Sequence, residues 1–168
     1  MKVLNVYKKI IVGMNKVLDA LTITAMLAMV GVVFYQVIMR QIFERPPIWG
    51  EELSVTFMIW FVFLGIVLGL NENLHIGIAM FVKKLPQKAQ YVIEILVNLL
   101  IMLHATVLLI FGYMYTANIY AFGNRLTATG LPAAIHYVVT PIAGALMILV
   151  LLGKIAEQLM KKEDPKNG

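Results

Sequence analysis

The sequence predicts an all-α integral membrane protein with four transmembrane helices. Of its 168 residues, 61% are hydrophobic and only 14% are charged, and the mean hydropathy is +0.85. Four apolar stretches are each long enough to cross a hydrocarbon core roughly 30 Å thick, which takes about 20 residues. An isolated segment in lipid must satisfy its own backbone hydrogen bonds, and a helix does this.

The predicted elements follow from these stretches, and all of them belong to one membrane domain, 1–168. An amphipathic segment, 1–16, comes first. Four spans follow, at 17–39, 53–70, 92–111 and 133–152, and the third can extend to residue 120. A polar cytoplasmic tail, 161–168, ends the chain.

The segment before the first span has apolar residues at helical spacing from Val3 to Leu18, with lysine and asparagine between them. This pattern is typical of a helix that lies in the membrane interface. A cleaved signal peptide is the alternative. We reject it because the apolar run exceeds the 7–15 residues of a signal core and ends at Arg40 without a small-residue cleavage site.

The basic residues predict the orientation, since they collect on the cytoplasmic side of membrane proteins. One side holds eleven lysines, and the other holds Arg40, Arg45 and Arg125. Both termini are therefore expected in the cytoplasm. The net charge of +5 is explained by these flanks, because no nucleic-acid-binding motif accompanies it.

Ionisable residues inside the spans are functional candidates by default. Glu94 lies about one turn into the third span, with Asn98 four residues later on the same face. The pair could form a cation or proton site. It could equally be an interfacial carboxylate paired with Lys88 or with a neighbouring protein, beside an asparagine that bonds across helices.

His104 and His136 could ligate haem or relay protons. They are predicted at different depths, one near the middle of the third span and one near the outer start of the fourth, so a haem clamp is not expected. The chain has no cysteine, which excludes disulfides and thiol chemistry. A multidrug exporter is also disfavoured, because Glu94 alone would have to serve as its embedded carboxylate.

Small residues and proline indicate how the helices pack. Gly65 and Gly69 form a small-xxx-small step that favours close contact between helices. Pro141 should bend the fourth span.

The corner between the first two spans, residues 40–53, concentrates polar residues. Pro46 and Pro47 forbid continuation of the first helix, and Glu51 and Glu52 suit the free N–H groups at the start of the second. Arg40 and Glu52 should face each other across the hairpin, which suggests an ion pair.

The run from Arg40 to Ile78 also resembles the core of a known family, the small (DctQ-type) membrane subunit of tripartite ATP-independent periplasmic (TRAP) transporters. The matching residues are Arg40, Phe43, Trp49, Glu51, Glu52, Trp60, Gly65 and His75. The chain ends after four spans, so it looks like the unfused form of this subunit.

The resemblance implies a scaffold without enzymatic activity. In this family the small subunit binds a large membrane subunit, which carries the substrate and sodium sites, so no cofactor is expected here. A periplasmic protein delivers an organic acid anion such as a C4-dicarboxylate or a sialic acid. The implied location is the bacterial inner membrane, with lipids as the other contact and no nucleic acid.

Polar residues on the predicted outer side could contact the periplasmic protein, although simple solvation explains them as well: Arg45, Asn124, Arg125 and Thr127. The alternative function is a self-sufficient small proton-coupled carrier that works through Glu94 and His104.

Overall fold

A computed structural model describes residues 2–71 and 86–163, and within them the chain is helical. Its helices are α1 (Lys2–Ile42), α2 (Ile48–Asn71), α3 (Gln87–Ala121), α4 (Ala134–Tyr137) and α5 (Val139–Glu163). The fold class is confirmed, because the described part has four helical segments long and apolar enough to span a membrane: Ile11–Ile42, Ile48–Leu70, Ile95–Ala121 and Ala134–Ile155.

The N-terminal segment 2–16 is helical, and it runs into the first span without a break. Its polar residues lower the hydropathy, and the sequence pattern therefore predicts a separate interfacial helix there. Lysine and asparagine do not interrupt an α-helix as proline does, so one helix of 41 residues forms.

The long helices lie side by side in the order α1, α2, α5, α3. The segment Ala134–Ile155 is the most buried of the four spans, and Ile95–Ala121 is the least buried. Residues of α5 at spacings of three and four form the middle of the core, where they pack with α2 and α3: Val139, Ala143, Met147, Val150 and Leu151. The fourth span is therefore the centre of the molecule, and α1 and α3 are its flanks.

The bend predicted from Pro141 appears as an interruption at Val138, between α4 and α5. Proline has no N–H to donate to the carbonyl of Tyr137, four residues earlier, and its ring crowds that carbonyl. The short helix α4 is set apart from the rest of the span for this reason.

Close contact between helices occurs at Gly144, and not at Gly65, the first residue of the predicted step. A Cβ added to Gly144 would lie 2.7 Å from the backbone N of Leu109 and 2.8 Å from the carbonyl O of Ala105. A Cβ added to Gly65 would meet no heavy atom within 4 Å. The prediction at Gly65 fails within this chain because spacing alone does not say which side of α2 faces a neighbour.

Candidate functional site at the hairpin end

The hairpin end is the end of the helices formed by residues 43–52 and 122–133. The helix α1 stops at Ile42, before the prolines, and Glu44 takes a left-handed backbone conformation with φ 54°. The N–H of Arg45 then donates to the carbonyl of Met39 at 3.1 Å. This reversal ends α1, and Pro46 and Pro47 shape the short connection to α2.

The first turn of α2 packs tightly on the last turns of α1. Gly50 is buried, and a Cβ added there would collide with the side chain of Gln36. The rings of Tyr35 and Trp49 stack with centroids 5.8 Å apart. The hydroxyl of Ser54 donates to the carbonyl of Gly50 at 2.8 Å. The predicted hairpin is thus held by the stacking of Tyr35 on Trp49 and by the packing of the Gln36 side chain on Gly50.

The connection between α3 and α4, residues 122–133, folds on itself. Gly123 and Gly130 have φ values of +66° and +69°, a conformation that side chains other than glycine rarely adopt. Within the loop the N–H of Leu126 donates to the carbonyl of Leu131 at 2.8 Å, and the Arg125 guanidinium donates to the carbonyl of Gly130 at 3.0 Å. These bonds fix the direction of the N–H groups at the loop tip.

The Glu52 carboxylate binds this loop tip. Its Oε1 accepts the N–H of Ala128 at 2.8 Å, and its Oε2 accepts the N–H and the hydroxyl of Thr129, each at 2.9 Å. We call these three residues the Glu52 clasp. The clasp joins α2 to a loop 76 residues further along the chain.

The predicted ion pair between Arg40 and Glu52 is wrong, because both carboxylate oxygens face the loop. Two consecutive backbone N–H groups that are already held in place, together with a threonine hydroxyl, bind the carboxylate without fixing a long arginine side chain, and the exposed Arg40 can stay hydrated. The sequence carries no signal for Ala128 and Thr129, since backbone donors have no residue signature.

Two further contacts join α2 to the second half of the chain. The Trp60 indole N–H donates to the carbonyl of Ile135 in α4 at 2.9 Å. At the opposite end of α2, the Lys154 ammonium donates to the carbonyl of Leu70. A cation there complements the free carbonyls of a helix C-terminus. The helix α2 is therefore attached near both ends.

The other residues of the predicted family motif are distributed around this end. Phe43 and Glu51 are exposed, and Trp49 and Trp60 make the contacts described above. His75 lies outside the described residues. The motif therefore combines residues that hold the hairpin with residues on the surface.

The predicted contact residues for a periplasmic partner all lie exposed at the hairpin end: Arg45, Asn124, Arg125 and Thr127. Arg125 has an internal role as well, because it bonds Gly130. Contact of these residues with another protein stays a prediction.

The two histidines of the spans lie in different settings. His136 is buried in α4, and its Nε2 has no hydrogen-bond partner, while His104 is exposed on α3. The side chain of Glu94 lies outside what the structure describes. In the described part of the chain, no three His, Asp or Glu side chains come together as a metal site would require.

Comparisons with known proteins identify the family of this chain. The family model for the DctQ component of tripartite ATP-independent periplasmic transporters matches residues 29–161. A putative TRAP transporter small permease protein of Haemophilus influenzae is 32% identical, over 84% of this chain and 86% of that protein. The Vibrio cholerae sialic acid TRAP transporter small permease protein SiaQ is 25% identical, over 90% and 85%.

One similar protein is much longer. The sialic acid TRAP transporter permease protein SiaT of Haemophilus influenzae is 29% identical over 98 residues. The matched region is 58% of this chain and 16% of that protein.

Proposed function

This chain belongs to the DctQ component of the tripartite ATP-independent periplasmic (TRAP) transporters, and on that premise we propose that it is the scaffold subunit of a sodium-coupled importer of organic acid anions. Its partners are a large permease subunit, which carries the substrate and sodium sites, and a periplasmic substrate-binding protein. The subunit itself catalyses no reaction and holds no cofactor.

The observation that best supports this role is the way in which α2 is fastened. The Glu52 clasp and Trp60 tie it to the loop and to α4, and Lys154 ties it to α5 at its other end. The Glu52 clasp and the Lys154 bond lie near the two ends of α2, the Trp60 bond lies near its middle, and the core residues of α2 between the two ends are apolar. Such an arrangement resists sliding of the helices and suits a stationary support.

Two relatives support an organic acid anion as the substrate. SiaQ and SiaT are both named as parts of sialic acid TRAP transporters. We propose sialic acid or a C4-dicarboxylate as the anion, recognised by the partner chains.

The proposed location is the bacterial inner membrane, with both termini in the cytoplasm. Eleven lysines on the terminal side against three arginines on the hairpin side support this orientation. Since the chain has no cysteine, Asn124→Cys gives a single labelling site. An impermeant thiol reagent added to intact spheroplasts should label it, and labelling only after lysis would reverse the orientation.

Uptake into proteoliposomes tests the function. This chain, the large permease subunit and the binding protein are reconstituted together and separately, and radiolabelled sialic acid and succinate are supplied with and without a sodium gradient. Uptake should need all three proteins and the gradient. Uptake by this chain alone would contradict the scaffold role and indicate the carrier, in which case Glu94→Gln with His104→Ala should abolish it.

A further inference from the structure

The helix α3 lies at one edge of the row of helices and has the most open surface. It packs on α5 and α4 through one side, at whose centre Ala105 is fully buried. Only 6% of the residues in the most apolar part of α3 are buried, against 39% in the most apolar part of the fourth span. Most of α3 therefore faces either lipid or another protein.

The exposed surface of α3 carries a histidine well inside the span. His104 lies nine residues after Ile95, where the apolar segment begins, or about 14 Å along the axis at 1.5 Å per residue. Its side chain is exposed, and it lies about a quarter turn around the helix from Ala105, because successive residues turn by roughly 100°. The imidazole has no hydrogen-bond partner in the described part of this chain.

An imidazole at this depth is costly in hydrocarbon, because its ring nitrogens have no water to bond. Ionisable side chains within spans therefore face a bundle interior or a water-filled cavity, where they find polar partners. The interior of this chain lies against the side of α3 that holds Ala105, and the exposed His104 lies outside that contact. The bundle interior that His104 faces must then be completed by another chain.

The two exposed flanks of α3 differ in their polar residues. His104, Phe111 and Asn118 follow each other at intervals of seven residues, or nearly two turns, so they share one flank, and all three are exposed. The side chains of His104 and Asn118 form no hydrogen bond within the described residues. We call this the His104 flank.

The opposite flank needs no polar partner between residues 95 and 110. Leu99 and Ile110 are exposed and apolar there. The one hydroxyl between them, on Thr106, donates to the carbonyl of Met102 in its own helix at 2.8 Å. Lipid is a suitable neighbour for this flank.

We infer that the His104 flank of α3 is the surface on which the large permease subunit packs, with a hydrogen-bonding group of that subunit facing the imidazole. The inference rests on the proposed function, which supplies the membrane-embedded partner. The sialic acid TRAP transporter permease protein SiaT supports that occupant, because the region similar to this chain is only 16% of that protein and is therefore joined there to a much longer permease polypeptide.

Photo-cross-linking at neighbouring residues tests the flank. Benzoylphenylalanine is placed at Leu100 or Phe111 on the His104 flank, and at Leu99 or Ile110 as controls. Each control is adjacent in the chain, at nearly the same depth, and about as exposed: 65% for Leu99 against 57% for Leu100. The four variants are co-expressed with the large subunit and irradiated in membranes.

Cross-links to the large subunit from Leu100 and Phe111, with weak or no cross-links from Leu99 and Ile110, are the expected result. Cross-links only from the controls, only to a second copy of this chain, or to no protein although the complex co-purifies, would each overturn the inference and leave the scaffold function standing. If the two subunits never co-purify, the proposed function itself fails.

Substitution of the histidine gives a second readout in the intact complex. His104→Gln keeps hydrogen-bonding groups, and His104→Leu removes them. We expect the leucine variant to lower the association constant of the two subunits in micelles about 3- to 20-fold, the range for one hydrogen bond between membrane helices. The glutamine variant should lose clearly less. Equal affinity of both variants and the unchanged chain would contradict the proposed contact.

Discussion

Gly144 is the position at which the packing of α5 on α3 can be tested most directly. An alanine Cβ there would meet three backbone atoms: the Leu109 nitrogen at 2.7 Å, the Ala105 oxygen at 2.8 Å and the Leu109 Cα at 3.1 Å. Backbone atoms of a helix cannot swing aside as a side chain can. Since ordinary contacts need about 3.5 Å, the two helices must separate by roughly half an ångström or more.

Two opposing effects decide the stability of Gly144→Ala. Overpacking of this kind costs about 1–3 kcal/mol, and replacing a helical glycine by alanine returns about 0.5–1 kcal/mol. Gly65→Ala is the matched control, because its Cβ meets nothing within 4 Å and only the second effect operates. The difference between the two variants therefore isolates the packing effect, about 1–3 kcal/mol in favour of Gly65→Ala.

The free energy of unfolding of both purified variants is measured by titration from mild micelles into dodecyl sulfate, with helix content followed by circular dichroism. Gly65→Ala should equal or exceed the unchanged chain, and Gly144→Ala should fall below Gly65→Ala. Equal stability of the two variants would refute the close approach of α5 to the backbone of α3.

Three other experiments test the contacts of α2. Glu52→Gln should speed amide hydrogen exchange in the loop 122–133, because the glutamine side chain presents an N–H where the clasp needs an acceptor. Mass spectrometry measures this exchange. Glu51→Gln is the control, since Glu51 is exposed and lies outside the clasp. If Arg40→Glu lowers the expression level of the complex, adding Glu52→Arg should not bring that level back. Recovery in the double variant would instead support the ion pair between Arg40 and Glu52. Trp60→Phe should cost about 1 kcal/mol of unfolding free energy through the lost bond to Ile135, and an unchanged unfolding midpoint would argue against that bond.

The hairpin shows how far reasoning from the sequence extends. The proline pair, Trp49 and the two glutamates predict a corner between two helices, and the structure has that corner. The partner of Glu52 could not be predicted, because the loop tip is 76 residues away and offers backbone N–H groups, which all residues except proline possess. Arg40 is a plausible partner by charge alone, but charge does not report which donors are already held in place.

The sequence by itself determined that the chain spans a membrane four times as helices, since hydropathy and the need to satisfy backbone hydrogen bonds in lipid are properties of each segment alone. Only the tertiary structure decided the order α1, α2, α5, α3, the close approach at Gly144 and the outward direction of His104. Apolar helix sides are nearly equivalent in lipid, so hydrophobicity does not choose among them. Shape and a few polar bonds make that choice, and they depend on residues far apart in the chain.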